Sequence, residues 1–170
     1  MPVEHIGRPI LINEVRIANK SSPDWARRHW LTFKRFYSRA PFWKEYCDFF
    51  EQTYNQEWIM LIDLNIHLMR GLVRFFKIDK PFVFISSLNV SGEKSDFVLN
   101  MCKKMHANVY LSGNGGREYL NLERFEEAGI EVVFQDFHHP IYKQLYGDFV
   151  SNLSAIDYLF NTGGTMFHEE

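Results

Sequence analysis

At 170 residues the chain is long enough for one domain with a real core, and 46 % apolar against 24 % charged residues excludes a disordered or fibrous protein. A formal net charge of −2 gives no global attraction to nucleic acid, and Cys47 and Cys102 alone make no disulfide framework. The start, Met1-Pro-Val-Glu-His5, has neither the basic residues nor the apolar block of a signal peptide, so a reduced, cytoplasmic setting is expected. The longest apolar region, Trp58–Phe76, is broken by Asp63, Asn65, His67, Arg70 and Arg74 and makes a poor membrane span.

In chain order, Pro9–Asn13 and Val15–Ile17 read as short strands. Ser22-Pro23-Asp24 predicts a helix start, with Ser22 as N-cap and Pro23 in the first helical position. The helix over Pro23–Arg39 is amphipathic. Trp25, Trp30, Phe33, Phe36, Tyr37 and Ala40 fall on one side, and Arg27, Arg28, Lys34, Arg35 and Arg39 on the other. Between Arg16 and Lys44 there are eight Lys or Arg and one acidic residue, Asp24, which suggests an anionic membrane surface or a protein partner for that face. Further helices are predicted over Pro41–Gln52 and Gln56–Lys77, the second apolar enough to be mostly buried.

From Pro81 onward strands and helices alternate. Phe82–Ile85 reads as a strand ending at Ser86-Ser87, Ser95–His106 as a helix, and Asn108–Leu111 as a strand ending in Ser-Gly-Asn-Gly-Gly. Leu122–Ala128 is a short helix stopped by Gly129, Ile130–Phe134 a third strand, and Asn152–Phe160 a last helix. Such alternation predicts an α/β fold: a small, mostly parallel, Rossmann-like sheet with flanking helices, and the helical segment 23–77 placed before the later strands of a single domain over 1–170. Its core is expected to hold Phe33, Leu61, Leu64, Leu68, Leu72, Phe82, Phe84, Val109, Leu111, Val132, Phe134 and Leu159.

In an open α/β sheet, ligands bind beyond the carboxyl ends of the strands. Ser112-Gly113-Asn114-Gly115-Gly116-Arg117 follows one such end. Its glycines let backbone N–H groups approach an anion, and Arg117 can clamp phosphate or carboxylate in two parallel hydrogen bonds. The run matches neither the Walker loop nor the dinucleotide fingerprint. Asp136-Phe-His138-His139 follows the next strand end, where a His can act as general base and an Asp can fix its tautomer. Adjacent side chains of extended chain point to opposite faces, so His138 and His139 would not share one ion and no metal is expected. Tyr142, Gln144, Tyr146 and Asp148 suit stacking and hydrogen bonding to a sugar or base. Ser154 and Asp157 share one helix face, Asn161 ends that helix, and Ser86 is a further strand-end candidate.

Several of these stretches resemble the WbqC-like proteins of bacterial surface-polysaccharide loci. They are Arg8–Ile17, Trp25-Ala-Arg-Arg-His29, Tyr110-Leu-Ser-Gly-Asn-Gly-Gly-Arg-Glu-Tyr-Leu120, Phe125-Glu-Glu-Ala-Gly-Ile130, Gln135–Phe149 and Asn152–Gly163. Family members carry an additional N-terminal stretch, and this chain is expected to begin after it, near Pro2-Val3. The resemblance implies a role in O-antigen or lipopolysaccharide synthesis, as a transferase, with glycine transfer to a sugar as one version. Joined to the residues, it yields a cytoplasmic enzyme with an anionic, activated small-molecule substrate. Gly113, Gly115, Gly116 and Arg117 would hold the anionic part, Ser86, Ser112, Asn114, Tyr142, Gln144, Asp157 and Asn161 would bind substrate, and His139 oriented by Asp136 would be the base. The cofactor is left open, with a nucleotide as one choice. An adenylate-forming or nucleotidyl-transfer enzyme and a non-catalytic assembly protein remain as rivals.

Overall fold

The structure, a computed structural model, describes residues 1–4, 7–8 and 10–164. The chain divides into two compact units, one formed by Met1–Asp79 with His139–Glu170 and the other by Lys80–His138.

The first unit is helical. Helix α1 (Trp25–Tyr37) begins at Asp24 rather than at Ser22, two residues later than the Ser-Pro signal predicts. Ser22 still serves the start: its carbonyl accepts Trp25 N–H and its hydroxyl accepts Arg28 Nη2 at 2.8 Å. Helix α2 (Trp43–Asn55) follows within six residues and α3 (Leu61–Phe75) within six more, so each buries its apolar stripe against a near neighbour in sequence. Trp30, Ala40, Phe50, Leu159 and Phe160 are buried together, with Phe33, Tyr37, Trp43, Phe49, Leu68, Leu72 and Phe75 packed around them. Leu159 and Phe160 come from helix α6 (Ala155–Thr162), which the Ser154 hydroxyl caps and Gly163 closes at φ 78°.

A smaller cluster joins Ile17, Trp25, Trp58 and Leu64. Asn19 ties it together, accepting Trp25 Nε1–H at 2.9 Å and donating to the Trp58 carbonyl at 2.8 Å. The early chain forms isolated antiparallel bridges, Val3 with Ile17 and Arg16 with Met60. Of the predicted strand 9–13, Pro9 lies outside the described residues and Ile12–Glu14 is a 3-10 turn.

The second unit holds helix α4 (Lys94–Lys104), strand β1 (Val109–Ser112), helix α5 (Leu122–Glu127) and strand β2 (Glu131–Phe134). The strands pair in parallel with Val109 opposite Glu131 and Ser112 opposite Phe134, and α5 lies in the connection between them. Leu99, Cys102, Phe125 and Ile130 form the core, with Tyr110 and Val132 packed against it.

The sheet is therefore one parallel pair, and the fold is mixed α/β on that scale. The predicted Phe82–Ile85 strand is absent: 81–84 is irregular and Ile85–Ser87 is a 3-10 turn, closed by Ser87 N–H and hydroxyl on the Phe84 carbonyl. A strand needs a ladder partner, and among the described residues this run has none. Phe82 and Phe84 are exposed as a result. So are Val109 and Leu111, at 52 % and 63 %, because only the alternate face of β1 meets the core. Leu64 and Leu159 are buried as expected, while Phe33, Leu61, Leu68, Leu72, Val132 and Phe134 are half-buried.

Gly71 of α3 is fixed by packing rather than by backbone angle. A Cβ there would lie 2.2 Å from Phe49 Cζ. The Phe49 ring cannot retreat easily: it stacks on His67 at 4.8 Å and meets Phe50 and Phe75 edge-on. Helix propensity alone would make Gly71→Ala stabilising by about 1 kcal/mol. Overpacking dominates, and the variant is expected to lose roughly 1–3 kcal/mol in chemical denaturation.

Candidate functional site

The first unit contains a hollow of about 370 Å³. One wall is α1, through Thr32, Phe33, Phe36 and Tyr37; another is the 144–153 loop, through Gln144, Leu145, Tyr146, Val150 and Leu153. Asp157, in the first turn of α6, completes the lining and is only 6 % exposed. A buried carboxylate is costly unless hydrogen-bonded. Tyr142 Oη donates to Asp157 Oδ2 at 2.7 Å, and the Tyr37 phenol lies near enough to feel the same carboxylate. The N-terminal end of α6 adds favourable partial charge.

Both phenols feel this environment. Burial first, then the Asp157 charge and hydrogen bond, raise Tyr37 well above the ordinary phenol range. Burial pushes Tyr142 up to about 12, with Asp157 adding to the rise and Gln144 opposing it.

His139 stands beside this group, its ring 6.1 Å from Tyr142 and 5.8 Å from Phe149. Its Nδ1 is 2.9 Å from the Pro140 carbonyl. A carbonyl only accepts, so Nδ1 carries the proton and Nε2 is the basic nitrogen. Asp136, expected to orient His139, has His138 as its neighbour at 3.9 Å, and both are exposed. Residues two apart in extended chain share a side, which aligns Asp136 with His138 and turns His139 away.

Gln144 commits both ends of its amide to Val150, donating to its carbonyl and accepting its N–H, each at 2.9 Å. It thereby shapes the loop that walls the hollow. Asn161 donates to the Asp157 carbonyl at 2.8 Å and lines a smaller neighbouring hollow of about 250 Å³ with Arg39, Pro41, Lys143, Gln144 and Leu145. An aromatic cleft holding a carboxylate–phenol group, next to a niche with two cations, can accept a polar, partly apolar small molecule.

The remaining candidates lie in the second unit, apart from Asp148, exposed on the 144–153 loop, and Ser154, which caps α6. Ser86 sits in the exposed Ile85–Ser87 turn. Ser112 ends β1, is buried, and donates to the Gly113 carbonyl at 3.0 Å. The chain then makes a 3-10 turn over Asn114–Glu118. Gly116 must be small, since a Cβ would fall 2.1 Å from Ser112 Oγ. Gly113 and Gly115 have open space where a Cβ would go. Arg117 lies 4.0 Å above the Phe134 ring, and among the described residues it makes no hydrogen bond or ion pair. No cluster of three or more His, Cys, Asp or Glu is placed to hold a metal ion among the described residues.

Residues 1–168 match the sequence profile of the WbqC-like protein family. The chain belongs to that family. It is also similar to a protein of Mycobacterium tuberculosis named as the uncharacterized protein Rv1507c, with 28 % identity over 165 residues, covering 96 % of this chain and 71 % of the relative. No solved structure matches it.

Two residues of this WbqC-like site escape a reading along the sequence. Tyr37 is taken as core, and Lys143 is passed over between Tyr142 and Gln144. The signal for Tyr37 is its hydroxyl: a phenol at the end of a buried helical stripe needs a polar partner, and a carboxylate is the obvious one. Tyr142 also yields a test. Below pH 10, the ordinary phenol value, folded and unfolded chains both hold a neutral Tyr142 and its contribution to stability is complete. Between 10 and about 12 the unfolded chain ionises while the folded chain retains its proton, so stability falls over that window. Denaturation at a series of pH values should show the loss, and Tyr142→Phe should reduce it, leaving the part due to Tyr37 and the other raised phenols.

Proposed function

We propose that the protein is a transferase of bacterial surface-polysaccharide synthesis, placing a small acyl or aminoacyl group, glycine being the leading case, on a sugar. The observation that carries this reading is the buried Asp157 lining an aromatic hollow, with Tyr142 bound to it and Tyr37 beside it. A sugar has apolar ring faces that stack on aromatic side chains, and hydroxyl or amine groups that a carboxylate and two phenols can engage. Phe36 and Tyr146 supply the rings.

His139 is the base of this reading. Nε2 takes the proton of the acceptor hydroxyl or amine as that group attacks the donor's acyl carbon. The new ester or amide bond forms, the bond to the activating group breaks, and the proton passes from Nε2 to the departing group. The Pro140 carbonyl holds the tautomer, the part first assigned to Asp136.

In the second unit the reading assigns the Gly113–Arg117 turn to an anionic group, phosphate or carboxylate. Open space at Gly113 and Gly115, and an Arg117 that among the described residues is supported only by the Phe134 ring, favour it. A Rossmann-like reading of β1, α5 and β2, with a nucleotide as the anion, belongs to the same assignment, because ligands of parallel sheets sit beyond the strand ends.

Deleting the coding sequence from its host and weighing the surface polysaccharide by mass spectrometry tests the reaction. The expected result is loss of one acyl or aminoacyl mass per repeat, restored by the wild type and not by His139→Gln or Asp157→Asn. An unchanged polysaccharide refutes the reaction. For the turn, Arg117→Ala should weaken binding of inorganic phosphate about tenfold in calorimetry; equal affinity removes the anion assignment.

A further inference from the structure

Helix α1 carries an exposed leucine inside a ring of cations. Leu31 is 49 % exposed. Arg27 and Arg28 lie one turn before it and Lys34 and Arg35 one turn after, so all four are its neighbours on the helix surface. Arg39 continues the row past the helix end, and all five cations are exposed. Among the described residues none of them pairs with a carboxylate. Arg28 bonds the Ser22 hydroxyl, and Lys34 lies 5.6 Å above the Trp30 ring. The whole chain has a net charge of −2, so this positive face is local and not a reflection of overall composition.

The apolar exposure continues beyond Leu31. Phe36, 50 % exposed, lies round the helix from Leu31 with Arg28, Arg35 and Arg39 between them, and lines the 370 Å³ hollow. Across that hollow stand Tyr146, Val150 and Leu153, all exposed. An acidic protein or a polyanion would satisfy the cations and leave these apolar side chains in water. An anionic bilayer satisfies both, with phosphates for the guanidinium and ammonium groups and acyl chains for Leu31 and Phe36. Long basic side chains flanking apolar ones also suit that boundary, since their stems lie along apolar surface while their heads reach the headgroups. No helix among the described residues is long and apolar enough to cross a membrane, so the contact would be from one side.

We propose that the outer face of α1, centred on Leu31 and continued by the rim of the hollow, docks the protein on an anionic membrane surface. The docking is independent of the transfer chemistry: polysaccharide mass reads His139 and Asp157, and vesicle binding reads α1.

Flotation of the full chain with vesicles of phosphatidylglycerol in phosphatidylcholine, against phosphatidylcholine alone, tests it. The anionic vesicles should carry at least about tenfold more protein at low salt and lose it as salt is raised. Charge reversal at Arg27, Arg28, Lys34 and Arg35 to Glu should return binding to the neutral-vesicle level. Leu31→Ser, which alters no charge, should lower it several-fold. Circular dichroism checks that the variants fold; should the fourfold variant not fold, Leu31→Ser and Arg27→Gln with Arg28→Gln decide the matter. Equal binding to both vesicles overturns the proposal. Binding that Leu31→Ser leaves undiminished also overturns it, because the apolar side chain would then contribute nothing to the contact.

Discussion

Phe160 is the contact on which the first unit depends. Its fully buried ring stacks on Tyr37 at 5.2 Å and lies within 5.0 Å of Trp43 and 5.5 Å of Phe50. It comes from the far end of the chain, yet it completes the core of helices formed near the beginning. Burying a phenylalanine is worth about 1.5–3 kcal/mol, and each good aromatic pair adds about 0.5–1.5. That fixes α6 against α1 and α2. Gly163, in a left-handed turn against the Phe42 ring, and Tyr46, donating to the Gly163 carbonyl at 2.7 Å, secure the end of the same helix.

Asp157 is three residues before Phe160 and so lies on the same side of α6. The aromatic anchor therefore carries a carboxylate to the Tyr37 end of α1. An unpartnered buried carboxylate would cost several kcal/mol, comparable with what the anchor contributes. The Tyr142 hydroxyl, the neighbouring Tyr37 phenol and the start of a helix reduce that cost. Both phenols lose acidity in turn, first because burial disfavours their charged form and then because deprotonation would set a second negative charge beside Asp157. Both phenols thus hold their protons beside Asp157, an arrangement suited to recognising a donor such as a sugar hydroxyl or ammonium.

What was legible in the sequence follows from what is local. α1, α2 and α3 are readable from their helical period because each is packed by a near neighbour, and their ends shift by a few residues where capping competes with packing. β1, α5 and β2 are readable because a strand, a short helix stopped by Gly129 and a second strand form one contiguous unit. Phe82–Ile85 has the composition of a strand, but composition cannot supply the partner, and Val109 and Leu111 looked like core for the same reason. In the site, Tyr142, Asp157 and Asn161 stood out as polar groups crowded into one C-terminal stretch, and they do cluster. Tyr37 was hidden because its significance comes from a residue far away in the sequence. Asp136 was matched to His139 by proximity along the chain, where the alternation of an extended segment favours His138.

α1 shows how one short helix can satisfy unrelated demands. Trp30, Phe33 and Tyr37 recur at three and four residues and build the core, with Tyr37 ending the series at Asp157. The opposite arc is released from packing, and there the sequence places arginines and a lysine around Leu31 instead of the mixed charges that would stabilise an isolated helix. The cations stand about two turns apart along this arc, Arg27 from Lys34 and Arg28 from Arg35, so their mutual repulsion is weak and the aromatic core can absorb it. Phe36 lies between the two arcs, in the hollow and at its rim. A surface that holds this helix by its cations therefore lies next to the opening that leads to Asp157, so a substrate presented at that surface would have only the width of one helix to travel.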